Sequence, residues 1–481
     1  MKSKFKLIGG SIVAPVGYLA SGVFCDIKKL GTGKGSDKGQ KRDLALIVSK
    51  VPATVAGMFT TNQVCAAPVK VCIDRVQKGI AQAIVVNSGN ANACTGRQGL
   101  ADAREMTAFV AAVYDRRRLK ARVPSAVKDR RHRISAAHVL VGSTGRIGMP
   151  MPMANVRAGI SAAVTLLHDS PASANHAAEA IMTSDTRPKQ IAVEFELDGK
   201  PVRIGGICKG AGMIQPGMSA TGQRPAALPG DRPHGLHATM LCFITTDAAI
   251  ESKLLQVALQ EAVAQSFNRI TVDGDMSTND TVLVLANGLA GNEKLKIKNS
   301  KLAGRARSPV ALPPRAGLDI FQSALNFVCL ELAKQNVRDG EGVHRVVTVR
   351  VNSAKSVRDA DAAARAVANS PLVKTSWHGG DPNWGRIIDA LGYSPARIVE
   401  EKVDIGYSAA GSRKILWSLK RGQPTPATFK QLCAAVAPKE FDLHINLNLG
   451  ESNAVIYAAD LTEAYVEFNK GDVTDAASLG G

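Results

Sequence analysis

Six short stretches rich in glycine and polar residues contain side chains suited to chemistry. Four of them follow or adjoin a strand-like apolar run, and loops at strand ends are where functional sites are usually built. Because glycine, asparagine and aspartate are also the ordinary residues of turns, each stretch alone has low specificity. The six are NSGNANACTG (87–96), GSTGRIG (142–148), KGAGM (209–213), DGDMSTNDT (273–281), RDGEG (338–342) and GGDPNWGR (379–386).

The patterns of common nucleotide-binding and catalytic motifs are absent from these stretches. GSTGRIG lacks the full GxGxxG spacing, KGAGM is not a GxxxxGK[ST] phosphate loop, and the sequence contains neither GxSxG nor HExxH. The 8 cysteines are scattered without a CxxC pair, and the 9 histidines show no paired ligand spacing. We therefore expect no metal site and no bound cofactor, and reduced cysteines in a cytosol-like compartment.

A threonine remains as the candidate nucleophile, in the stretch ATMLCFITTDA (238–248). Its hydroxyl needs a base, and the threonine's own amine can serve once backbone cleavage has made it an N-terminus. The small Ala238 precedes Thr239, and the apolar run that follows would anchor the new terminus in the core. On these residues alone, a β-branched residue that merely opens a strand is the simpler interpretation.

Helical and strand-like segments alternate along the chain and must position these stretches. The helical period predicts helices such as 252–268 and 318–337, and alternation predicts strands such as 190–197 and 345–351. Strands and helices mix without a strict βαβ repeat, which favours a layered α/β fold over a dinucleotide-binding sheet. The sequence has no apolar run long enough for a membrane span and no typical signal peptide. We expect a cytoplasmic protein without a membrane partner, or a mitochondrial-matrix or plastid protein in a eukaryote.

The formal net charge of +19 is concentrated in three segments, 28–42, 115–133 and 294–315. Each segment is polar or rich in proline and glycine and interrupts periodic sequence, so we expect solvated loops or insertions. Aromatic residues make up 4% of the chain, and none punctuates the basic runs as a base-stacking platform would. We therefore expect no nucleic-acid partner.

Taken together, the stretches resemble the ornithine acetyltransferase / glutamate N-acetyltransferase family of arginine biosynthesis. The resemblance spans most of the chain in the family's order and is far more specific than any single motif. Besides most of the stretches above, the matching segments are GMFTTNQVCAAPV (57–69), AEAIMTSDT (178–186), ATMLCFITTDAAI (238–250), SFNRITVDGDMSTNDTVLVLANG (266–288) and NSPLVKT (369–375).

The resemblance implies an α/β fold, an α/β/β/α-type sandwich of the DmpA/ornithine acetyltransferase kind, autoprocessed between Ala238 and Thr239. The products are an α chain (1–238) and a β chain (239–481), which assemble as a heterotetramer of two α and two β chains. The implied reaction moves the acetyl group of N2-acetyl-L-ornithine to L-glutamate through an acetyl-threonine. It uses no cofactor and leaves acetyl-CoA open as a co-substrate.

The site residues also follow from the resemblance. Thr239 matches the nucleophile, and Thr144 and Gly145 match the oxyanion pair. A lysine suits a substrate carboxylate, and a glutamate suits an ammonium group. The matching substrate-binding positions are Thr183, Lys209, Thr239, Glu341, Asn469 and Thr474, the last two within FNKGDVT (468–474).

One departure lies directly before the nucleophile. Residues 217–237 separate Lys209 from Thr239 by more than the family spacing, and 115–133 and 294–315 also resemble insertions. A second pair, Ala220–Thr221, lies near the usual spacing, but a glycine follows it instead of an apolar strand, which favours Thr239. Two other functions stay open: an N-terminal-nucleophile amidohydrolase or aminopeptidase with water as acceptor, and an inactive, unprocessed homologue.

Overall fold

The computed structural model describes residues 5–28, 41–120, 133–223, 239–296 and 316–470. In these ranges the strands are β1 (Lys6–Leu7), β2 (Tyr18–Val23), β3 (Leu44–Phe59), β4 (Ile80–Asn90), β5 (Val139–Arg146), β6 (Lys189–Leu197), β7 (Lys200–Lys209), β8 (Leu241–Thr246), β9 (Ile270–Thr271), β10 (Thr281–Ala286), β11 (Val346–Ala354), β12 (Asp404–Ala409), β13 (Leu416–Lys420), β14 (Gln423–Pro424), β15 (Glu440–Asn446) and β16 (Ser452–Ala459). The helices are α1 (Ala67–Val76), α2 (Gly96–Lys120), α3 (Met153–Thr165), α4 (Pro171–Ala180), α5 (Ser252–Ala264), α6 (Ala316–Arg338), α7 (Val357–Asn369), α8 (Pro371–Gly379), α9 (Trp384–Gly392), α10 (Phe429–Val436) and α11 (Glu463–Phe468).

The first sheet has the order β1-β6-β7-β8-β10-β3-β4-β5, with β2 also paired to β3. Strand β3 belongs to two parts of this sheet, because its residues 44–49 pair with β2 and its residues 54–59 pair with β10. The register with β4 shifts between Val48 and Ala53, at Pro52, as proline at a bulge allows. The two parts face each other: a Cβ placed on Gly142 of β5 would lie 3.1 Å from the ring of Phe243 in β8.

Helices cover the outer faces of both parts of this sheet. Helices α1 to α4 pack on the part with β2 to β5, and α5 and α6 pack on β3, β6 and β7. Side chains of β8 alternate between the two cores: Leu241 and Phe243 join the first, whereas Cys242 and Ile244 pack with α5 and α6. The layers are therefore helix, sheet, sheet, helix, and the expected α/β/β/α-type sandwich is confirmed.

The second sheet has the order β14-β13-β12-β15-β11-β16-β9 and its own core with helices α7 to α10. Strand β9 connects the second sheet to the first sheet and its helices, because β9 lies between α5 and β10 in the chain and pairs with β16. The segments before β11 and after β16 therefore reach the first sheet. Helix α11, which follows β16, contacts the loop before β11 through the bond from Thr462 Oγ1 to Gly342 O at 2.7 Å.

The basic segment 115–133 is not a loop at its start, which corrects the expectation. Helix α2 continues to Lys120, since arginine and lysine have high intrinsic helix propensities. Residues 121–132, like 29–40 and 297–315, lie outside the described ranges. Of the helices that the structure describes, none is both long and apolar enough to cross a membrane.

Candidate active site

Thr239 lies two residues before β8, the strand that connects β7 and β10. The backbone N–H of Met240 donates to Asp280 Oδ1 at 3.0 Å, and the N–H of Thr281 donates to Met240 O at 3.1 Å. These bonds extend the β8–β10 contact towards Thr239, which is 2% exposed. The Ser277 hydroxyl donates to Thr239 Oγ1 at 2.9 Å. The candidate nucleophile is thus fixed at the end of a central strand.

The ammonium group of Lys209, at the end of β7, joins three of the predicted site residues. Its Nζ donates to Thr183 Oγ1 at 2.7 Å, to the carbonyl oxygen of Thr239 at 2.9 Å and to Thr144 Oγ1 at 3.3 Å. Burial lowers the pKa of Lys209, and the carboxylate of Asp185 partly offsets this effect. Three predicted threonines from distant parts of the chain therefore meet around one buried cation, the predicted Lys209.

Asp185 balances this charge, although the sequence analysis did not single it out. Its carboxylate accepts from the N–H of Gly210 at 2.7 Å and from the N–H of Thr183 at 3.0 Å, and it forms a buried ion pair with Lys189. Burial raises the pKa of Asp185, but Lys189 and Lys209 outweigh it, so the carboxyl pKa lies well below its usual range. Asp185 holds Thr183 and the start of KGAGM in place.

Thr144 and Gly145, the predicted oxyanion pair, lie in β5 next to β4. Gly145 has a φ of 128°, and a Cβ there would lie 2.3 Å from the carbonyl carbon of Gly89. A side chain at 145 would therefore separate β4 from β5. Asn279 fixes the same region, because its Nδ2 donates to Ala91 O at 2.7 Å and to Ser143 O at 2.9 Å.

Glu341 and Asn469 contact each other on the side of the site formed by the loop before β11 and the end of α11. Asn469 Nδ2 donates to Glu341 Oε2 at 3.0 Å, and the Glu341 N–H donates to Ala211 O at 2.8 Å. Gly212 permits this approach, since a Cβ there would lie 2.3 Å from Glu341 Oε2. Burial raises the pKa of Glu341, partly offset by hydrogen bonds from Ser184 and Asn469.

Asp280 is a further buried acid beside the nucleophile that the sequence analysis missed. Its Oδ2 has no hydrogen-bond partner among the described residues. Burial raises its pKa to about 7, although the N–H groups of Met240 and Ser277 oppose the shift. The signal for it was its place in DGDMSTNDT, where Ser277, Asn279 and Asp280 all serve the site.

Two predicted residues, Ala238 and Thr474, lie outside the described part of the chain, as does 224–237 of the predicted insertion. Its beginning is described: Ser219 exchanges two backbone hydrogen bonds with Phe59, at 2.8 and 2.9 Å. The alternative nucleophile Thr221 is exposed in a turn, where its Oγ1 accepts from the N–H of Gln223 at 3.3 Å. Burial beside Lys209 favours Thr239 over Thr221.

GGDPNWGR, one of the six candidate stretches, forms the turn between α8 and α9. Gly380 ends α8 with a φ of 66°, and the Asn383 side chain caps α9 by accepting from the N–H of Arg386 at 3.1 Å. These are structural roles, as expected of turn residues.

The ArgJ family model matches residues 22–472. The arginine biosynthesis bifunctional protein ArgJ of Symbiobacterium thermophilum is 42% identical over 462 residues, 96% of this chain and 98% of the relative. The glutamate N-acetyltransferase of Methanocaldococcus jannaschii is 40% identical over 469 residues, 96% of this chain and 98% of the relative. A crystal structure of the arginine biosynthesis bifunctional protein argJ from Bacillus halodurans is 37% identical with a TM-score of 0.41, covering 47% of this chain and 95% of that chain.

Proposed function

This chain belongs to the ArgJ family, and from that premise we propose that it moves the acetyl group of N2-acetyl-L-ornithine to L-glutamate through an acetyl group held on Thr239. It is thus an acyltransferase of arginine biosynthesis. The observation that carries the proposal is the convergence on Lys209 Nζ of Thr144 Oγ1, Thr183 Oγ1 and the Thr239 carbonyl oxygen. This convergence supports one buried site that contains a candidate nucleophile, a candidate oxyanion donor and a cation for substrate carboxylate.

Cleavage of the peptide bond between Ala238 and Thr239 comes first and frees the Thr239 amine. That amine takes the proton of Thr239 Oγ1 as the oxygen attacks the acetyl carbonyl of N2-acetyl-L-ornithine. The Thr144 hydroxyl and the Gly145 N–H stabilise the negative oxygen of the tetrahedral intermediate. Collapse expels ornithine, which takes the proton from the amine. The neutral amine of glutamate then attacks the acetyl-threonine and gives a proton to the Thr239 amine, which passes it to Thr239 Oγ1 as N-acetylglutamate leaves.

Glu341 and Asn469 form the part of the site that faces an amino-acid substrate. A buried glutamate with an amide beside it suits the ammonium group of ornithine, whereas Lys209 suits a carboxylate. N2-acetyl-L-ornithine carries an ammonium group for Glu341 and a carboxylate for Lys209, and in the second half of the reaction glutamate offers a carboxylate to Lys209. Thr474 completes the proposed binding residues from the C-terminal segment.

The compartment and assembly belong to the same proposal. All 8 cysteines lie in the described ranges and are free, which supports a reducing compartment such as the cytoplasm. We expect the two chains to assemble as two α and two β chains, and light scattering after size-exclusion chromatography measures that mass.

Mass spectrometry together with an acetyl-transfer assay tests the function. The purified protein should consist of two fragments divided at 238/239, and a brief incubation with N2-acetyl-L-ornithine should add one acetyl group to the β chain at Thr239. Thr239→Ala should abolish both cleavage and transfer, whereas Thr239→Ser keeps a hydroxyl and an amine and should retain some of each. An acetyl adduct on another residue contradicts the proposal.

The same assay separates the other functions. Net release of acetate without acetylglutamate indicates the amidohydrolase or aminopeptidase. One intact chain of 50.6 kDa without transfer indicates the inactive homologue. Replacing N2-acetyl-L-ornithine with acetyl-CoA determines whether that co-substrate is also a donor.

A further inference from the structure

A second cluster of reactive side chains lies away from Thr239, in the C-terminal half of the chain. His344 precedes β11, His378 is in the last turn of α8, and Asp460 follows β16. Within the described ranges, these three residues form a group whose potential ligand atoms all lie within 4.8 Å of one another. Their separation along the sequence explains why ligand spacing did not reveal them.

The ring of His378 lies between two carboxylates. Its Nε2 is 2.8 Å from Glu463 Oε2, and because a carboxylate accepts hydrogen bonds, this nitrogen carries a proton. Its Nδ1 faces Asp460 Oδ2 at 3.5 Å, and both atoms are buried without a hydrogen-bond partner among the described residues. If the ring is neutral, the lone pair of Nδ1 points at the buried carboxylate of Asp460. A cation between these two atoms must then compensate the repulsion.

The surroundings favour a metal ion over a proton as this cation. The backbone N–H of His344 donates to Asp460 Oδ1 at 3.0 Å, which leaves Oδ2 directed at His378. The His344 ring lies 5.6 Å from the His378 ring, between centroids, which is close enough for it to add a ligand to a metal. Neither neighbouring cation donates to Asp460: Lys374 interacts with it electrostatically, but its Nζ donates to Ala459 O, and Arg345 donates to the carbonyl oxygens of residues 377 and 378.

The geometry points to a divalent transition-metal site, of the kind that holds Zn²⁺, formed by His344, His378 Nδ1 and Asp460 Oδ2. Imidazole nitrogens and a carboxylate oxygen are ligands that Zn²⁺ prefers, with a water completing four-coordination. Closure needs a small movement of the exposed His344. Glu463 orients His378 through its other nitrogen, as carboxylates commonly do for ligating histidines.

A metal ion at this position would link three segments of the chain. These are the loop that carries Glu341, the end of α8, and the start of α11, whose last turn leads to Asn469. The ion would therefore stabilise the side of the site proposed to bind the amino acid, without taking part in the chemistry at Thr239. The metal site does not depend on the proposed acetyl transfer.

Zinc titration of tag-free, metal-stripped protein tests the site. Calorimetry of the full, natively processed protein should show one Zn²⁺ bound per copy of the sequence, and the ion should raise the Tm. His344→Ala and Asp460→Asn should each weaken binding at least tenfold, in line with loss of a ligand. Both variants should fold, because His344 is exposed and the asparagine oxygen can still accept from the His344 N–H. His168→Ala is the matched control, since this exposed histidine lies 3.6 Å from Asp169 but belongs to no three-ligand group among the residues that the structure describes.

Two results would overturn the metal site. One is a calorimetric titration in which the wild-type protein binds no stoichiometric Zn²⁺, or in which His344→Ala and Asp460→Asn bind Zn²⁺ as tightly as His168→Ala does. The other is a nitrogen NMR spectrum in which both ring nitrogens of His378 carry protons and do not respond to added Zn²⁺, which assigns the cation as a proton.

Discussion

Lys209 shows how single residues of the site depend on one another. Its ammonium group is completely buried, and the buried carboxylate of Asp185 lies 3.9 Å away. Removing one partner of such a pair costs about 3–5 kcal/mol, because the other charge stays buried without compensation. Asp185 is therefore a positioning residue for Lys209 and Thr183, with no proposed contact to substrate.

The first prediction concerns the oxyanion hole. Thr144→Val keeps the shape of the side chain and removes the hydroxyl, so we expect kcat to fall by about 10²–10³-fold, as when other oxyanion donors are removed. Acetyl-transfer kinetics on fully cleaved protein measure the change. Thr144→Ser restores the hydroxyl and should recover most of the activity. Equal rates for the valine and serine variants would exclude the hydroxyl from the reaction.

The second prediction concerns Asp280 and pH. With a native pKa of about 7 against an ordinary value of 3.8, the folded protein holds this proton longer than the unfolded chain does. The contribution of Asp280 to stability therefore falls as pH rises from about 4 to about 7. Asp280→Asn removes this titration, so its free energy of unfolding should rise relative to wild type between pH 5 and 8, by on the order of 3 kcal/mol.

Denaturant unfolding at several pH values measures this difference. The control is Asp198→Asn, because Asp198 is exposed and tolerates its φ of 52° as asparagine. If both variants follow the wild-type pH dependence in parallel, Asp280 does not titrate as the structure indicates.

At the scale of elements, the close approach of β4 and β5 shapes the oxyanion region. Gly89 pairs with Gly145 where the parallel strands end, and both have positive φ angles, 102° and 128°. The Asn279 side chain donates to Ala91 O and Ser143 O. It thereby connects the ends of β4 and β5 to the stretch DGDMSTNDT, whose Ser277 contacts Thr239. The strand ends and this stretch therefore form one hydrogen-bonded unit.

The third prediction tests this unit. Gly145→Ala should lower the free energy of unfolding by about 3 kcal/mol or more and impair cleavage at Thr239, because the added Cβ overlaps the backbone of Gly89. Gly148→Ala is the control, since Gly148 also has a positive φ, 80°, but a Cβ there meets nothing within 4 Å. Thermal unfolding and mass spectrometry give the two readouts. If both variants lose a similar amount of unfolding free energy, the destabilisation comes from the positive φ alone and not from the contact between β4 and β5.

Several elements were predicted from the sequence and others were not. The predicted helix 252–268 and strand 190–197 correspond to α5 and β6, because their apolar periodicity matches the faces that they bury. Strand β3 runs through Pro52 for 16 residues, which the sequence alone does not predict, since proline ordinarily interrupts a sheet. Helices α8 and α9 were not predicted, because both are short and contain glycine, and tertiary packing against α7 stabilises them.

At the scale of the whole molecule, the proposed cleavage would cut within one continuous sheet. Strand β8 would begin the β chain, yet it pairs with β7 of the α chain on one side and with β10 on the other. Alternate side chains of β8 are buried in two different cores. The α chain (1–238) and β chain (239–481) are therefore two halves of one fold and not independent domains.

The fourth prediction follows from this shared sheet. After cleavage the two fragments should elute together in size-exclusion chromatography and unfold in a single transition, because separating them would expose both cores. Denaturant at unfolding concentrations should be needed to separate them. Separate elution in native buffer would contradict the packing of β8.

The family, the chemistry and the candidate residues came from the sequence alone, and comparison confirmed the family and its acetyl-transfer function. Short polar motifs in a fixed order suffice for this, because catalysis constrains residue type at each position. Only the tertiary structure decided which of them meet. Thr144, Thr183, Lys209 and Thr239 converge because β5, β7 and β8 pack in one sandwich, and Asp185 and Asp280 matter because they are buried there. The cluster of His344, His378 and Asp460 likewise exists only in three dimensions, since local sequence carries no information about which distant side chains share a buried space.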